Sequence, residues 1–323
     1  MQARKSPLRW AGIALAGVLC AWTMAPAAAQ ESRMMRMVTP APPGGNLDNT
    51  ARLLTSRLPA VTGDTWMVDN RPGGNTVIGI EAVVRAQPDG RTVLYHATAM
   101  AMLSWTHKLS FSPLDDLVPV VQVSTERYAV VVPIASAVTS LRALEEAAAS
   151  REGGLNCISA PGVSNMACEQ FRARVRGRST TIPYAGVAPA LQATVAGLGD
   201  VMFCNFESVT RMVEAGRVRI IGVSSAHHLA PVYARLPVIN DVWPEFVIEG
   251  FSGIFVPAAT PAARVRELVR DVNRVLADPE VAKVMRDSGQ EPVGGTSEDF
   301  SKVLRRSSQR YGEVIQRLSL GVK

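Results

Sequence analysis

The run Val38-Thr39-Pro40-Ala41-Pro42-Pro43-Gly44-Gly45-Asn46-Leu47-Asp48-Asn49-Thr50-Ala51-Arg52-Leu53-Leu54 decides how this chain folds. A short strand signal enters a Pro/Gly turn and leaves as an amphipathic helix. Gly44 and Gly45 carry no Cβ and let the backbone reverse sharply. Asn46 is placed to cap the helix, with Leu47, Leu53 and Leu54 turned to the core. Such a turn aims unpaired N–H groups, and the positive end of a helix dipole, at whatever sits above the strand. It is an anion site made from main chain, with Pro43, Gly44, Gly45 and Asn46 as candidate contacts. Asp48, in the first helical turn, complements the dipole whether or not it also reaches a ligand.

Outward from this run the pattern repeats. Trp66 to Asp69 reads as a strand, and Asn75-Thr76-Val77 opens a helix over Ile78 to Ala86, as its cap or as a second ligand contact. Pro88-Asp89-Gly90 turns the chain back into a strand from Thr92 to His96. A second series follows, with strands at Tyr128 to Val132, Leu155 to Ser159, Thr180 to Pro183, Asp200 to Asn205 and Val218 to Ser224. Strands alternating with helices predict parallel sheets covered on both faces. The last third is helical: Thr260-Pro261 and Asp278-Pro279 are helix starts, and Thr296 with Asp299 forms a capping pair.

The N-terminus predicts export. Arg4, Lys5 and Arg9 precede an apolar run from Trp10 to Met24 and the small residues Ala27-Ala28-Ala29. This is the layout of a cleavable signal peptide over 1–29, too short and wrongly flanked for a membrane span. Gly17-Val18-Leu19 ahead of Cys20 does not fit a lipoprotein anchor, so Cys20 leaves with the peptide. Cleavage takes 3 of the 34 basic residues and none of the 28 acidic ones, so +6 becomes 31 − 28 = +3. A mildly basic chain with sparse aromatics and no long basic run excludes a nucleic-acid surface. Cys157, Cys168 and Cys204 remain, in no zinc spacing; two of them can pair after export, but burial as small apolar side chains is the simpler reading. His227-His228 reads as a solvated loop, and no metal or cofactor is expected.

Roughly 290 mature residues exceed one compact core. The expected solution is two α/β lobes joined by crossings near Val121 to Val132 and Ile248 to Val256, with the C-terminal helices packed on the first. The division is 30–124 plus 253–323 for lobe 1 and 125–252 for lobe 2. In open parallel sheets ligands bind at the carboxyl ends of strands, so two facing sheets make a cleft.

The chain resembles the periplasmic solute-binding proteins of tripartite tricarboxylate transporters, the Bug family, over essentially its whole mature length. The resemblance is carried by Pro42-Pro43-Gly44-Gly45 with Asp48, Asn70-Arg71-Pro72-Gly73, Ile78-Gly79 and Pro88-Asp89-Gly90. It continues through Pro183-Tyr184, Ala188-Pro189-Ala190, Asp200-Val201-Met202-Phe203 and Ala277-Asp278-Pro279. It implies a two-lobed type II, or Venus flytrap, fold, each lobe a mostly parallel sheet flanked by helices. It also implies capture of a small organic carboxylate by a monomer without cofactor. Delivery would be to membrane transporter subunits or, alternatively, a sensor kinase.

Three departures from the family pattern are visible. Cys204, before Asn205, stands where relatives often carry aspartate. The loop Pro161-Gly162-Val163-Ser164-Asn165 lacks the usual histidine. His96-Ala97-Thr98-Ala99 replaces a Gly-Thr pair, and the nearby Met100, Met102 and Trp105 hint at a less polar pocket. Ser164 and Asn165 are read as donors to a bound carboxylate, with Gly162, Val163, Thr98, Ala99, Cys204 and Asn205 around them. Tyr184, before Ala185-Gly186, fits two readings, a cover for the pocket with Gly186 beside it or packing between lobes. Gly162-X-Ser164 also resembles a hydrolase nucleophile elbow, but Met166 stands where the final glycine belongs and no base partner is recognisable. An exported hydrolase is the less favoured class.

Overall fold

The computed structural model describes residues 33–225 and 233–321. The expected signal peptide, with Cys20, and His227-His228 lie outside the described residues. The quoted run forms β1 (Met34–Thr39) and α1 (Asn46–Thr62), followed by β2 (Thr65–Asn70), α2 (Val77–Val84), β3 (Thr92–Ala97) and α3 (Ala99–Thr106). Then come β4 (Leu117–Glu126), β5 (Tyr128–Pro133), α4 (Leu141–Ser150), β6 (Leu155–Ser159), α5 (Val163–Arg174) and β7 (Ser179–Pro183). The next elements are α6 (Val187–Val195), β8 (Val201–Asn205), α7 (Phe206–Glu214), β9 (Val218–Val223) and α8 (Ile239–Val242). The chain ends in β10 (Gly250–Pro257), α9 (Ala262–Leu276), α10 (Pro279–Asp287), β11 (Gln290–Gly294) and α11 (Ser297–Arg317).

Two sheets result, in the orders β11-β4-β10-β3-β1-β2 and β7-β6-β8-β5-β9. Both are mixed, which corrects the expectation of mostly parallel sheets. The pairs β1–β2, β1–β3, β6–β7 and β6–β8 are parallel, as strand–helix–strand crossovers require. Strand β10 runs antiparallel to both β3 and β4, β11 antiparallel to β4, and β5 antiparallel to β8 and β9. The reason is the crossing itself. Only Arg127 separates β4 in the first sheet from β5 in the second, so both crossing strands enter against the local direction.

Each sheet is buried on both faces. Met37, Leu54, Tyr95, Val121 and Leu268 pack under α1 and α9, while Val38, Leu94, Phe255 and Phe300 fill the opposite face. In the second sheet Val130, Phe171, Phe203 and Trp243 form one face, and Val131, Leu191, Met202 and Cys204 the other. The alternation of side chains along each strand explains why near-continuous apolar runs were needed. Asp278 and Thr296 cap their helices as expected, by accepting from the N–H groups of Glu280 and Asp299. Asn46 does not cap α1; Gly45 occupies the cap and Asn46 is the first helical residue. Thr260 is likewise displaced, by Pro261, and its buried hydroxyl has no partner.

Helix α11 belongs to both cores. Phe300 and Leu304 pack on the first sheet, Tyr311, Val314 and Ile315 in the cluster of the second. Gly312 makes this possible, because a Cβ there would lie 2.4 Å from the ring of Trp105 on α3. The Tyr311 hydroxyl accepts from the N–H of Glu249 at 3.0 Å and donates to its carbonyl at 2.9 Å. Ser307 donates to the Glu249 carboxylate and Arg310 pairs with it. The chain just before β10 is thereby strapped to the C-terminal helix.

Cys157 and Cys168 form a disulfide, with Cα atoms 5.7 Å apart, whereas Cys204 is free and buried. The simpler sequence reading of three unpaired thiols is corrected: α5 docks over β6 and brings the two together. Among the described residues no helix is long and apolar enough to cross a membrane.

Candidate functional site

The strand-to-helix turns of both sheets open on one cavity of about 560 Å³. From the first sheet it is lined by Ala41, Gly45, Asn46 and Leu47 before and within α1, by Asn75 and Thr76 before α2, and by His96 to Ala99 before α3. From the second come Ala160 to Val163, Asn165 and Met166 at the start of α5, Pro183 and Tyr184 after β7, and Asn205 after β8. Glu126 and Tyr128 reach it from either side of the crossing. The first turns of α1, α3 and α5 carry N–H groups without helical partners, so three positive helix ends face one space. No lysine or arginine is among its described lining residues.

The β1–α1 turn is braced rather than open. Gly44 sits at φ +84°, a left-handed conformation that suits glycine. Its N–H donates to Asp48 Oδ2 at 2.9 Å, Arg52 donates to the same oxygen, and Asn70 Nδ2 donates to Asp48 Oδ1 at 2.8 Å. Burial opposes ionisation of Asp48, but the hydrogen bonds from Arg52, Gly44 and Asn70 more than offset it and hold its pKa at about 2. Asp48 therefore fixes the turn and does not line the cavity. The Gly44 N–H is already used, and Pro43 and Gly44 lie outside the lining.

The turn before α2 is strained. Gly73, Gly74, Asn75 and Thr76 all have positive φ, and a β-branched residue such as Thr76, at φ 78°, adopts that conformation only when its surroundings impose it. The Thr76 hydroxyl is buried and without a partner. Asn75 Nδ2 lies 3.0 Å from His107 Nε2, and His107 Nδ1 lies 2.8 Å from the Thr106 hydroxyl. Val77, expected as a contact, begins α2 outside the lining.

His96 is the most unusual group of the site. It is 1 % exposed, it lines the cavity, and neither ring nitrogen has a partner. Burial pushes its pKa down to about 4, so the ring is neutral at pH 7, with one donor and one acceptor. The Thr98 hydroxyl donates to Phe251 O and accepts from Phe251 N, which pins the β3–α3 turn to β10 and leaves only its backbone for a ligand. Met102 lines the cavity as the less polar reading expected, but Met100 is core and Trp105 donates to Ser308.

On the second sheet, Gly162, Val163 and Asn165 line the cavity. Ser164 does not: its buried hydroxyl accepts from the N–H of Ala160 at 3.1 Å and closes the turn locally. Tyr184 lines the cavity, with its N–H held by Ser159 O, and Gly186 caps α6 outside it. Cys204 is buried in the core with Val131 and Met202 and does not line the cavity. Asn205, one residue on, lines it and donates to Glu126 Oε2 at 2.8 Å. Burial first, and then the charge of Glu126, raise the Tyr128 hydroxyl well above its ordinary pKa.

The cavity thus gathers Gly45, Asn46, Asn75, Thr76, Thr98, Ala99, Gly162, Val163, Asn165, Tyr184 and Asn205. It leaves out Pro43, Gly44, Asp48, Val77, Ser164, Gly186 and Cys204. Sequence reasoning missed Glu126, Tyr128, His107 and the role of His96. One signal was present, since His96 is the only polar residue between Val93 and Ala97 that cannot pack as an apolar ring. Among the described residues no cluster of His, Cys, Asp or Glu is placed to hold a metal ion.

Two sheets present helix N-termini to a shared cavity with no Lys or Arg among its described lining residues. Residues 50–320 match the model of the tripartite tricarboxylate transporter family receptor, and the chain belongs to that family. A UPF0065 protein from the tcbD-tcbE intergenic region of Pseudomonas sp. (strain P51) is 30% identical, over 93% of this chain and 92% of its own. Protein BugT of Bordetella pertussis is 26% identical, over 90% and 91%. An R. palustris protein solved with adipate superposes with a TM-score of 0.77 at 25% identity, covering 90% of this chain and 98% of the other.

Proposed function

We propose that this chain is an exported binding protein that captures a small organic carboxylate in the cavity and delivers it to the membrane subunits of a tripartite transporter. The observation that carries the reading is the convergence of the first turns of α1, α3 and α5 on one cavity, with no lysine or arginine among its described lining residues. Main-chain N–H groups and helix ends bind an anion without a counter-charge, and they cost no reorganisation because the turns are already braced. Family membership and the adipate-bearing relative support the ligand class.

Capture works by closure. The segments 30–124 plus 253–323 and 125–252 act as two lobes that approach when a ligand touches both, with the hinge in the crossings near Val121 to Val132 and Ile248 to Val256. The protein acts as a monomer.

The test is a thermal-shift screen of mono- and dicarboxylates on the purified protein, with product analysis of every stabilising acid. A ligand at a hundredfold excess over its Kd stabilises by about 2.7 kcal/mol. Stabilisation without turnover, accompanied by a smaller radius of gyration in solution scattering, is expected. Turnover of the acid, or no response to any of them, rejects the reading.

A further inference from the structure

Side chains alternate along β3. Tyr95 packs in the cluster under α1 and α9, and Leu94 in the cluster of the opposite face, with Ile80 and Val83 of α2 and Met100 and Leu103 of α3. His96 shares the face of Leu94, where α2 and α3 lie. Its partner across the sheet is Gly253, where a Cβ would lie 2.2 Å from the Phe300 ring of that same cluster. The cavity reaches this place: Thr76, just before α2, and Met102 and Leu103 of α3 line it together with His96.

Among the described residues, neither nitrogen of the His96 ring nor the Thr76 hydroxyl has a hydrogen-bond partner, and all three atoms are buried. Other polar side chains of the lining are engaged. Thr98 bonds the main chain of Phe251, Asn75 meets His107, and Asn205 donates to Glu126. A phenyl ring and a valine would suit the apolar neighbours better, because a buried polar atom without a partner costs stability. That cost is recovered when a ligand supplies the missing partner.

The chemistry of the pair defines the partner. The His96 ring is neutral at pH 7, and with neither nitrogen fixed by a neighbour it presents its N–H or its lone pair as the tautomer changes. The Thr76 hydroxyl also donates or accepts. Two such groups complement a third of the same kind, a hydroxyl. A carboxylate only accepts, and here it would lose its water against groups that carry no counter-charge. The helix ends offer it N–H groups and positive dipoles instead.

We propose that the His96 imidazole and the Thr76 hydroxyl together bind an uncharged hydroxyl of the ligand, so that the cavity prefers a hydroxy acid to the same acid without the hydroxyl. This rests on the carboxylate-binding reading above and adds side-chain contacts to the main-chain ones. The helix ends hold the carboxylate and the pair reads the body of the ligand, so the two contributions separate by substitution.

The experiment is calorimetric titration at pH 7 with parent acids and their hydroxy derivatives. One series is hexanoate with its α-, β- and ω-hydroxy acids; the other is benzoate with ortho-, meta- and para-hydroxybenzoate. A hydroxy acid of one series binds about tenfold tighter than its parent, the scale of a hydrogen bond made to buried groups that otherwise lack one. His96→Phe keeps a ring, and Thr76→Val keeps the branched shape while removing only the unpaired hydroxyl. Each brings the ratio close to unity by weakening the hydroxy acid, and leaves the parent acid bound as in wild type. A preference that survives in either variant with unchanged circular dichroism overturns the proposal; if His96→Phe does not fold, Thr76→Val decides. Parent acids that bind wild-type protein as tightly as all their hydroxy derivatives overturn this inference alone. If no acid of either series binds, the carboxylate reading falls, and this inference falls with it.

Discussion

Protonating His96 requires a charge inside a cavity wall where neither ring nitrogen has a partner, and that cost is measurable as stability. The unfolded chain titrates this imidazole near 6.5, the folded protein at about 4. Because the folded value is the lower one, the favourable contribution is complete above pH 6.5 and is lost as pH falls toward 4. The full separation corresponds to about 3 kcal/mol, of which about 2 kcal/mol disappears between pH 7 and pH 5. Few carboxylates titrate in that window, so the effect stands apart from general acid unfolding. The assay is urea denaturation of ligand-free wild type and His96→Gln at pH 7, 6 and 5, followed by tryptophan fluorescence. The other histidines contribute equally to both proteins and cancel in the difference. The expected result is that wild type loses about 2 kcal/mol more than His96→Gln over this range. Parallel pH dependences for the two proteins would show that water or a relaxed wall solvates the protonated ring, and would refute the argument.

Two further predictions concern the braces of the site. Asp48→Asn costs about 2 kcal/mol at pH 7, because the pKa of Asp48 is depressed in the folded protein to about 2; the gap to wild type closes as pH falls from about 4 to 2, read by denaturation at each pH. Replacing Cys157 and Cys168 together by alanine lowers stability by about 2 to 3 kcal/mol, measured by thermal unfolding, and reductant has the same effect on wild type. In the native protein Cys204 stays unreactive toward a thiol reagent until denaturant is added, since its side chain is buried in the core.

The parts of the site that could be read from sequence are those whose chemistry is local. Pro42-Pro43-Gly44-Gly45 announces a turn because glycine at φ +84° and a following helix are properties of adjacent residues. The strand-end position of Asn205 was legible for the same reason. Glu126 was not, because its place in the cavity depends on a crossing where one residue separates two sheets. The Cys157–Cys168 bridge depends on how α5 docks on β6, and the burial of Cys204 on which face of β8 meets the core. Strand β11 escaped because Gln290-Glu291-Pro292 carries no strand propensity; its place at the sheet edge tolerates the proline. Asp48, read as complementing the helix dipole with or without ligand contact, is held in the turn by Gly44, Arg52 and Asn70.

The interleaved order of the first sheet fixes the order in which the chain is able to assemble. Strands β5 to β9 fall within one continuous stretch, so the second sheet needs nothing from the C-terminus to pair. The first sheet places β10 between β3 and β4 and adds β11 outside them, so its two halves stay apart until β10, ending at Pro257, has been made. Closing that loop over the whole second sheet is the long-range step that sets the folding rate. Helix α11 arrives last and ties Glu249 down. A nascent or truncated chain therefore holds a paired second sheet, its core still lacking Tyr311, Val314 and Ile315, and no cavity, and a ligand added early finds nothing to stabilise.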